Sequence, residues 1–113
     1  MTTIRDNRTG GALTETTFLI LLAVYQPNHG YGIMQFIEKK TDGRVLLGAG
    51  TLYGAINTLV KKEWIAPLGN EANHKKKEYL ITEMGKWKAE EELLRLEQVM
   101  QLAASIMKGE RSE

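Results

Sequence analysis

The stretch Gly50-Thr51-Leu52-Tyr53-Gly54-Ala55-Ile56-Asn57-Thr58-Leu59 decides the fold of this 113-residue chain. Its apolar residues at positions 52, 56 and 59 lie three and four residues apart, so they share one face of an α-helix. The basic pair Lys61-Lys62 follows one residue after this stretch. These features predict a helix that begins at Ala49 or Gly50, ends near Lys62 and keeps an outer face of small and polar residues.

A β-hairpin with a basic tip is predicted directly downstream. Residues 64–68 and 78–81 have the composition of short antiparallel strands, with a polar loop between them. Three lysines stand before the second strand: Lys75, Lys76 and Lys77. A helix, a hairpin and a basic tip in this order predict a winged helix, whose surface helix enters the DNA major groove while its wing touches the backbone.

Further helices are predicted on both sides of this unit. Thr14 caps a first helix that runs to about Tyr25, a second helix covers residues 31–40, and Thr82 caps a last helix that runs to about Met107. Val45-Leu46-Leu47 is interpreted as a short third strand beside the hairpin. The predicted fold class is mainly α with a small β-hairpin (α+β): a winged helix-turn-helix with a long C-terminal helix.

The predicted organisation has four parts, a flexible N-terminal arm, a winged-helix domain, a C-terminal dimerisation helix and a disordered tail, at residues 1–12, 13–82, 83–108 and 109–113. The absence of cysteine excludes disulfides and thiolate metal sites. The longest apolar run, Phe18 to Tyr25, is too short to span a bilayer. We therefore expect a cytoplasmic protein with no membrane contact and no cofactor.

The charge distribution favours a nucleic-acid partner more than the net charge of +1 does. Residues 1–82 carry three more basic than acidic side chains, whereas residues 83–113 carry two more acidic than basic ones. The positive charge therefore lies with the predicted winged helix, as expected for binding to double-stranded DNA. Ordinary surface scatter of charge is the alternative interpretation.

Several short elements follow one another along the chain in a characteristic order: Leu13-Thr14, His29-Gly30-Tyr31, Gly50-Thr51-Leu52-Tyr53, Tyr79, Ile81-Thr82 and Gly85. With these elements at these spacings, residues 13–107 resemble the PadR family of transcriptional regulators. The resemblance implies a homodimeric winged-helix regulator, most often a repressor. Two positions depart from the family pattern, because Glu63 stands where a glycine is usual and Ala49 where a proline is frequent.

Candidate DNA-binding residues lie on the outer face of the helix, at the start of the second helix and on the wing. Tyr53 can give its hydroxyl to a phosphate, and Asn57, one turn later, can read adenine. Tyr31 begins the second helix, where free N–H groups favour phosphate. The predicted set is Tyr31, Gly50, Thr51, Tyr53, Gly54, Asn57, Lys61, Lys75, Lys76 and Lys77. The alternatives are a core-edge Tyr53, a solvated Asn57 and a solvated lysine run, in which strand alternation keeps the lysines from meeting the same phosphates.

The last helix is predicted to form a dimer. Its stripe has a 3-4-3-4 spacing, and a second stripe widens the apolar face; the residues are Leu93, Leu96, Met100, Ala103 and Met107, then Leu94, Val99, Leu102 and Ile106. A helix this long finds too few partners within a small domain, so we expect it to pack on a second copy, with Phe18 and Leu22 of the first helix. The same seam is the predicted site for a small apolar effector, lined by Leu93, Leu96, Met100 and Met107, although methionines at this spacing more often form plain core.

An enzyme is not expected. The glutamates Glu90-Glu91-Glu92 fan around a helix axis and are interpreted as a solvated face rather than as acid–base groups. His29 and His74 lie far apart without a ligand cluster, so no metal site is predicted, and His29 is expected to be a capping or surface residue. Two alternatives to a PadR-like DNA regulator remain: a winged-helix protein–protein module without DNA contact, and a regulator of another winged-helix family such as the MarR-like group.

Overall fold

The computed structural model describes residues 11–69 and 77–109, which form four helices and one small sheet. The helices are α1 (Glu15–Ala23), α2 (Gly30–Lys40), α3 (Ala49–Lys61) and α4 (Glu83–Met107), and the strands are β1 (Asn28–His29), β2 (Ile65–Leu68) and β3 (Glu78–Ile81). The predicted α+β winged-helix architecture is confirmed.

Side-chain caps fix the start of three helices. Thr14 Oγ1 accepts a hydrogen bond from the Thr17 N–H at 3.1 Å, and Thr82 Oγ1 accepts one from the Gly85 N–H at 3.0 Å. His29 Nδ1 accepts from the Gly32 N–H at 3.0 Å, so His29 caps α2. Each bond satisfies an N–H that has no partner within its own helix, which is why these predicted boundaries agree with the structure.

The sheet is antiparallel throughout, with the strand order β1-β3-β2. The prediction that Val45-Leu46-Leu47 supplies the third strand is wrong, because Asn28–His29 pairs with β3 instead. His29 is already extended there as the cap of α2, with φ −98° and ψ 171°. The Val45 N–H donates to Thr41 Oγ1 at 3.1 Å, and the side chains of Val45 and Leu47 pack on the core, so this segment serves packing rather than pairing.

One apolar core joins the helices to the sheet. Its fully buried side chains come from α1, α2, α3, β2 and the residue after α1: Ile20, Leu21, Val24, Ile33, Ile37, Leu52, Ile56 and Ile65. The predicted stripe of α3 is thus buried on the inner side of that helix. Burial of this stripe fixes the rotation of α3 and turns its opposite face outward.

Glu63 ends helix α3 in a left-handed conformation, with φ 65°. The Glu63 N–H donates to the Val60 carbonyl at 2.9 Å, and the Trp64 N–H reaches back to the Leu59 carbonyl at 3.1 Å. This pair of bonds is a Schellman motif, in which glycine is the usual residue at the position of Glu63. The departure from the family pattern therefore leaves the helix end unchanged and places a side chain in a strained backbone region.

Replacing Glu63 with glycine should stabilise the fold by about 1 kcal/mol. The left-handed conformation costs a residue with a side chain about 1–2 kcal/mol, and glycine avoids this cost. Part of the gain is offset because glycine loses more conformational entropy on folding. Urea unfolding monitored by circular dichroism measures the change. Glu63→Ala is the matched control, since it removes the carboxylate but keeps the strain. Equal stabilities of the glycine and alanine variants would contradict this account.

Helix α4 docks on the domain through its first ten residues. Its buried residues are Gly85, Lys88, Ala89 and Glu92. Glu92 is 4% exposed, and its carboxylate accepts hydrogen bonds from the Leu13 N–H at 3.0 Å and from Arg95. The interpretation of Glu90-Glu91-Glu92 as a wholly solvated face is wrong for this residue, because the fan of side chains turns Glu92 inward to fasten the chain before α1.

The pKa of Glu92 is held below its ordinary value of 4.5, first by the hydrogen bond from Arg95 and also by the one from Leu13, against the opposing effect of burial. A lowered folded-state pKa adds stability that is present above pH 4.5 and is lost as the pH falls through the folded value. We expect Glu92→Gln to be less stable than the parent at pH 7, with a difference that shrinks as the solution becomes acidic. Urea titrations from pH 7 to pH 3 test this, with the exposed Glu97→Gln as control; a pH-independent difference would contradict it.

Candidate nucleic-acid interface

The outer face of α3 carries the candidate DNA-binding residues of this helix. Its exposed residues include Gly50, Thr51, Gly54, Asn57 and Lys61, and they lie opposite the buried stripe at positions 52, 56 and 59. With 3.6 residues per turn, these positions face one sector of solvent. The structure therefore brings the predicted α3 residues together on one surface, with Tyr53 half-buried at its edge.

Gly50 and Gly54 have no packing partner within the described structure. A Cβ atom built on either residue meets nothing within 4 Å, and neither residue has a positive φ. A glycine inside a helix costs about 0.8–1.0 kcal/mol relative to alanine. Since internal packing does not require these glycines, their effect is an outer face on which another surface can approach the helix backbone.

Two of the sequence elements that define the family resemblance meet in space. The ring of Tyr53 lies over Gly30, where a Cβ would overlap the Tyr53 hydroxyl and lie 2.6 Å from its Cζ. A side chain at position 30 would therefore displace the Tyr53 ring from the start of α2. Tyr31, the next residue, is 61% exposed. The contact places Tyr31 and Tyr53 at one concave surface between the two helices.

This concave surface, the front groove, has a volume of about 780 Å³. It lies between α2, α3 and β3 and is lined by His29, Tyr31, Met34, Ala49, Tyr53, Asn57 and Tyr79. Tyr79 forms part of its wall, and burial, together with the nearby Tyr53, raises the pKa of the Tyr79 phenol. Four lining residues, His29, Met34, Ala49 and Tyr79, were not among the predicted DNA-binding residues, because they belong to four separate elements, β1, α2, α3 and β3, that only the fold brings together.

The wing lies partly outside the described residues. Lys77 precedes β3 directly and is half-buried, while Lys75 and Lys76 fall outside the described ranges. Lys61 is exposed at the last turn of α3. Two of the four predicted lysines are thus placed by the structure, one on the outer face of α3 and one at the base of the wing.

The second half of α4 has a wide apolar surface with no cover from the rest of the described chain. Leu93 and Leu96 are 50% and 38% exposed, and Met107 is 82% exposed. The second stripe is exposed as well, at Leu94, Val99, Leu102 and Ile106. Of the other predicted interface residues, Leu22 and Met100 are exposed, Ala103 is half-buried, and Phe18 is half-buried against the core. Contiguous apolar surface of this extent is typical of a protein–protein interface.

Within residues 11–69 and 77–109, no three His, Cys, Asp or Glu side chains are grouped so that they could hold a metal ion. No helix in these ranges is long and apolar enough to cross a membrane. The Nδ1 atom of His29 accepts the hydrogen bond that caps α2, so the N–H of the neutral imidazole is at Nε2.

Three solved structures of similar fold are described as transcriptional regulators. A regulator from Clostridium thermocellum is 25% identical, with a TM-score of 0.63 over 86% of this chain and 93% of that one. PadR-type regulators from Eggerthella lenta and Bacillus cereus are 18% and 22% identical, both with TM-scores of 0.69; the matches cover 96% and 84% of this chain, and 92% and 93% of theirs.

The family comparison identifies the chain more specifically. No curated protein is significantly similar to it in sequence. The model of the transcriptional regulator PadR-like family matches residues 18–91, which include most of α1, the front groove, the wing and the start of α4. This match spans well over half of the chain and confirms the resemblance carried by its Gly-Thr-Leu-Tyr and Tyr-x-Ile-Thr elements. The protein belongs to the PadR-like family of transcriptional regulators.

Proposed function

We propose that this PadR-family regulator is a sequence-specific DNA-binding repressor that acts as a homodimer on a palindromic operator. The observation that carries the proposal is the outer face of α3, where exposed polar and glycine residues stand opposite a fully buried stripe. A surface helix of this kind fits the major groove, which is wide enough to admit an α-helix.

The residues divide into those that read bases and those that position the helix. The Asn57 carboxamide is exposed at the middle of α3 and matches the donor–acceptor edge of adenine. Lys61 and Lys77 supply charge for phosphates, with Lys75 and Lys76 as further candidates in the wing. Tyr31 and the Tyr53 hydroxyl are placed at the edge of the same surface, where they serve phosphate contacts.

The exposed face of α4 supports the homodimer. Apart from Leu94, the apolar side chains from position 93 to position 107 cover about half of the helix circumference, more than one neighbouring helix needs. Pairing with α4 and α1 of a second copy covers this surface and produces two α3 helices related by a two-fold axis. Half-sites about 34–36 Å apart would then match the usual helix-turn-helix geometry. Release of the operator by a small effector completes the proposal.

The experiment that tests the DNA-reading roles compares two variants on a panel of single-base operator changes. Asn57→Ala should cost about 1–3 kcal/mol and relax preference at one base pair in each half-site. Tyr53→Phe removes one hydroxyl and should weaken all sites alike, by about 1 kcal/mol. The operator is first selected from random DNA with the purified protein. Selection that enriches no sequence would contradict specific DNA binding, and the reverse pattern in the two variants would exchange their roles.

A further inference from the structure

We propose that the front groove binds a flat, uncharged aromatic compound, and that this compound competes with DNA. The inference deepens the proposed function. The ligand site is argued from the groove alone, whereas the competition with DNA rests on the proposed DNA-binding surface. The site differs from the α4 seam that the sequence suggested for an effector, because it lies between α2, α3 and β3.

The size and walls of the groove favour an aromatic ligand. Its volume of about 780 Å³ falls within the range of about 300–1,000 Å³ that is typical of small-molecule sites. Tyr79 and Tyr53 contribute buried and half-buried ring surface, and the exposed Tyr31 forms a third aromatic wall. Met34 adds a polarisable thioether, which makes favourable contacts with aromatic rings.

The charge of the lining favours a neutral ligand over a phosphate or carboxylate. Among the described residues, those that line the groove include no lysine, arginine, aspartate or glutamate. The raised pKa of Tyr79 keeps its phenol protonated at neutral pH. A small anion enclosed in the groove would lose water without gaining an ionic partner, which is unfavourable, whereas a DNA phosphate can meet the exposed Tyr31 at the edge of the groove and stay hydrated.

The polar groups of the groove select a ligand with adjacent hydrogen-bond acceptor and donor groups. His29 uses Nδ1 for the cap of α2, so Nε2–H is its remaining donor. The Asn57 carboxamide offers both a donor and an acceptor. A ring lactam, with a carbonyl beside an N–H, matches both side chains, and we take quinolin-2-one as the probe of this class.

Competition follows from shared residues. Tyr31, Tyr53 and Asn57 line the groove and are also proposed to face DNA. A ligand that occupies Asn57 removes the residue proposed to read a base, and a ring stacked on Tyr31 stands where the backbone would approach. Binding therefore needs no movement of α4 to affect DNA, which separates this site from a ligand at the dimer seam.

Methionine methyl groups report the position of the probe. The chain has five methionines, and Met34 is in the groove while Met84, Met100 and Met107 are on α4. In DNA-free protein labelled with ¹³C at these methyls, saturating quinolin-2-one should shift the Met34 signal through its ring current and leave the α4 signals in place. Shifts confined to Met100 and Met107 would place the ligand on the seam and overturn the proposal, as would no shift at all.

Two comparisons sharpen the test. 2-Oxo-1,2-dihydroquinoline-4-carboxylate, which keeps the lactam of the probe and adds one negative charge, should bind at least about tenfold more weakly. Ala49→Leu, which fills the groove from the start of α3, should abolish the Met34 shift while circular dichroism shows an intact fold. Equal binding of the two compounds would overturn the charge argument whatever the variant does.

A second arm adds operator DNA. Excess quinolin-2-one should lower operator affinity at least about tenfold, and unchanged affinity of the ligand-saturated protein would overturn the competition. If no operator can be selected, the proposed function fails, and the Met34 shift still decides whether the groove is a ligand site.

Discussion

Replacing Gly85 with alanine should lower the free energy of unfolding by about 3 kcal/mol, near the upper end of what overpacking costs. A Cβ at this position would overlap the Trp64 carbonyl oxygen and lie 2.8 Å from Ile81 Cγ1. The carbonyl belongs to the backbone and accepts the Thr82 N–H at 2.9 Å, so it cannot move aside without losing that bond. Urea unfolding of the variant measures the loss.

Gly54→Ala is the matched control, because it adds the same methyl group inside a helix with open space around it. It should stabilise the fold by about 1 kcal/mol, as expected for glycine to alanine in a helix. If α3 faces DNA as proposed, the same variant should bind the operator more weakly, since the methyl group keeps the backbone away. Equal destabilisation by both substitutions would show that helix geometry, rather than the Trp64 contact, explains Gly85.

Replacing Leu96 with glutamate should convert the protein to a monomer and reduce operator affinity about 10²- to 10⁴-fold, the usual range for loss of a second binding module. Leu96 lies in the middle of the exposed apolar stripe of α4, and a carboxylate placed there would be buried against the second copy without a partner. Analytical ultracentrifugation measures the mass, and a titration of operator DNA measures the affinity.

Gln101→Glu provides the control on the polar side of the same helix. It adds the same charge at an exposed position on the side of α4 away from Leu93, Leu96 and Met100, so the dimer should persist. If Leu96→Glu remains a dimer with full operator affinity, α4 does not form the interface. A monomeric parent protein that still binds a palindromic operator tightly would also contradict the proposal.

Local patterns explain why the helices could be predicted from the sequence. The stripe at positions 52, 56 and 59 lies within one helix, and the caps Thr14 and Thr82 act on N–H groups three residues away. Both signals are complete within a few neighbouring residues, so no knowledge of the tertiary structure is needed. The predicted boundaries of α3 and α4 agree with the structure to within one or two residues.

The features that the sequence did not predict depend on contacts between distant segments. Asn28–His29 forms the third strand because it lies along an edge of β3, whereas the sequence favoured Val45-Leu46-Leu47 on its local apolar composition. Glu92 cannot be told from Glu90 and Glu91 by local pattern, because its partner, the Leu13 N–H, lies 79 positions away in the sequence. The front groove combines residues from α2, α3 and β3, and no spacing within one element reveals such a set.

The junction between the wing and α4 has a consequence for operator choice. Thr82 bonds the carbonyls of both Glu63 and Trp64, at 2.7 and 2.9 Å, and Gly85 lies directly on that backbone. In a dimer built on α4, these contacts hold the start of β2 and the start of α4 in a fixed relative orientation. One added base pair moves a half-site by about 3.4 Å and turns it by about one tenth of a helical revolution. A fixed junction does not let the two α3 helices change their separation and relative rotation to match. We therefore expect operator affinity to depend on the spacing between the half-sites as strongly as on their base sequence.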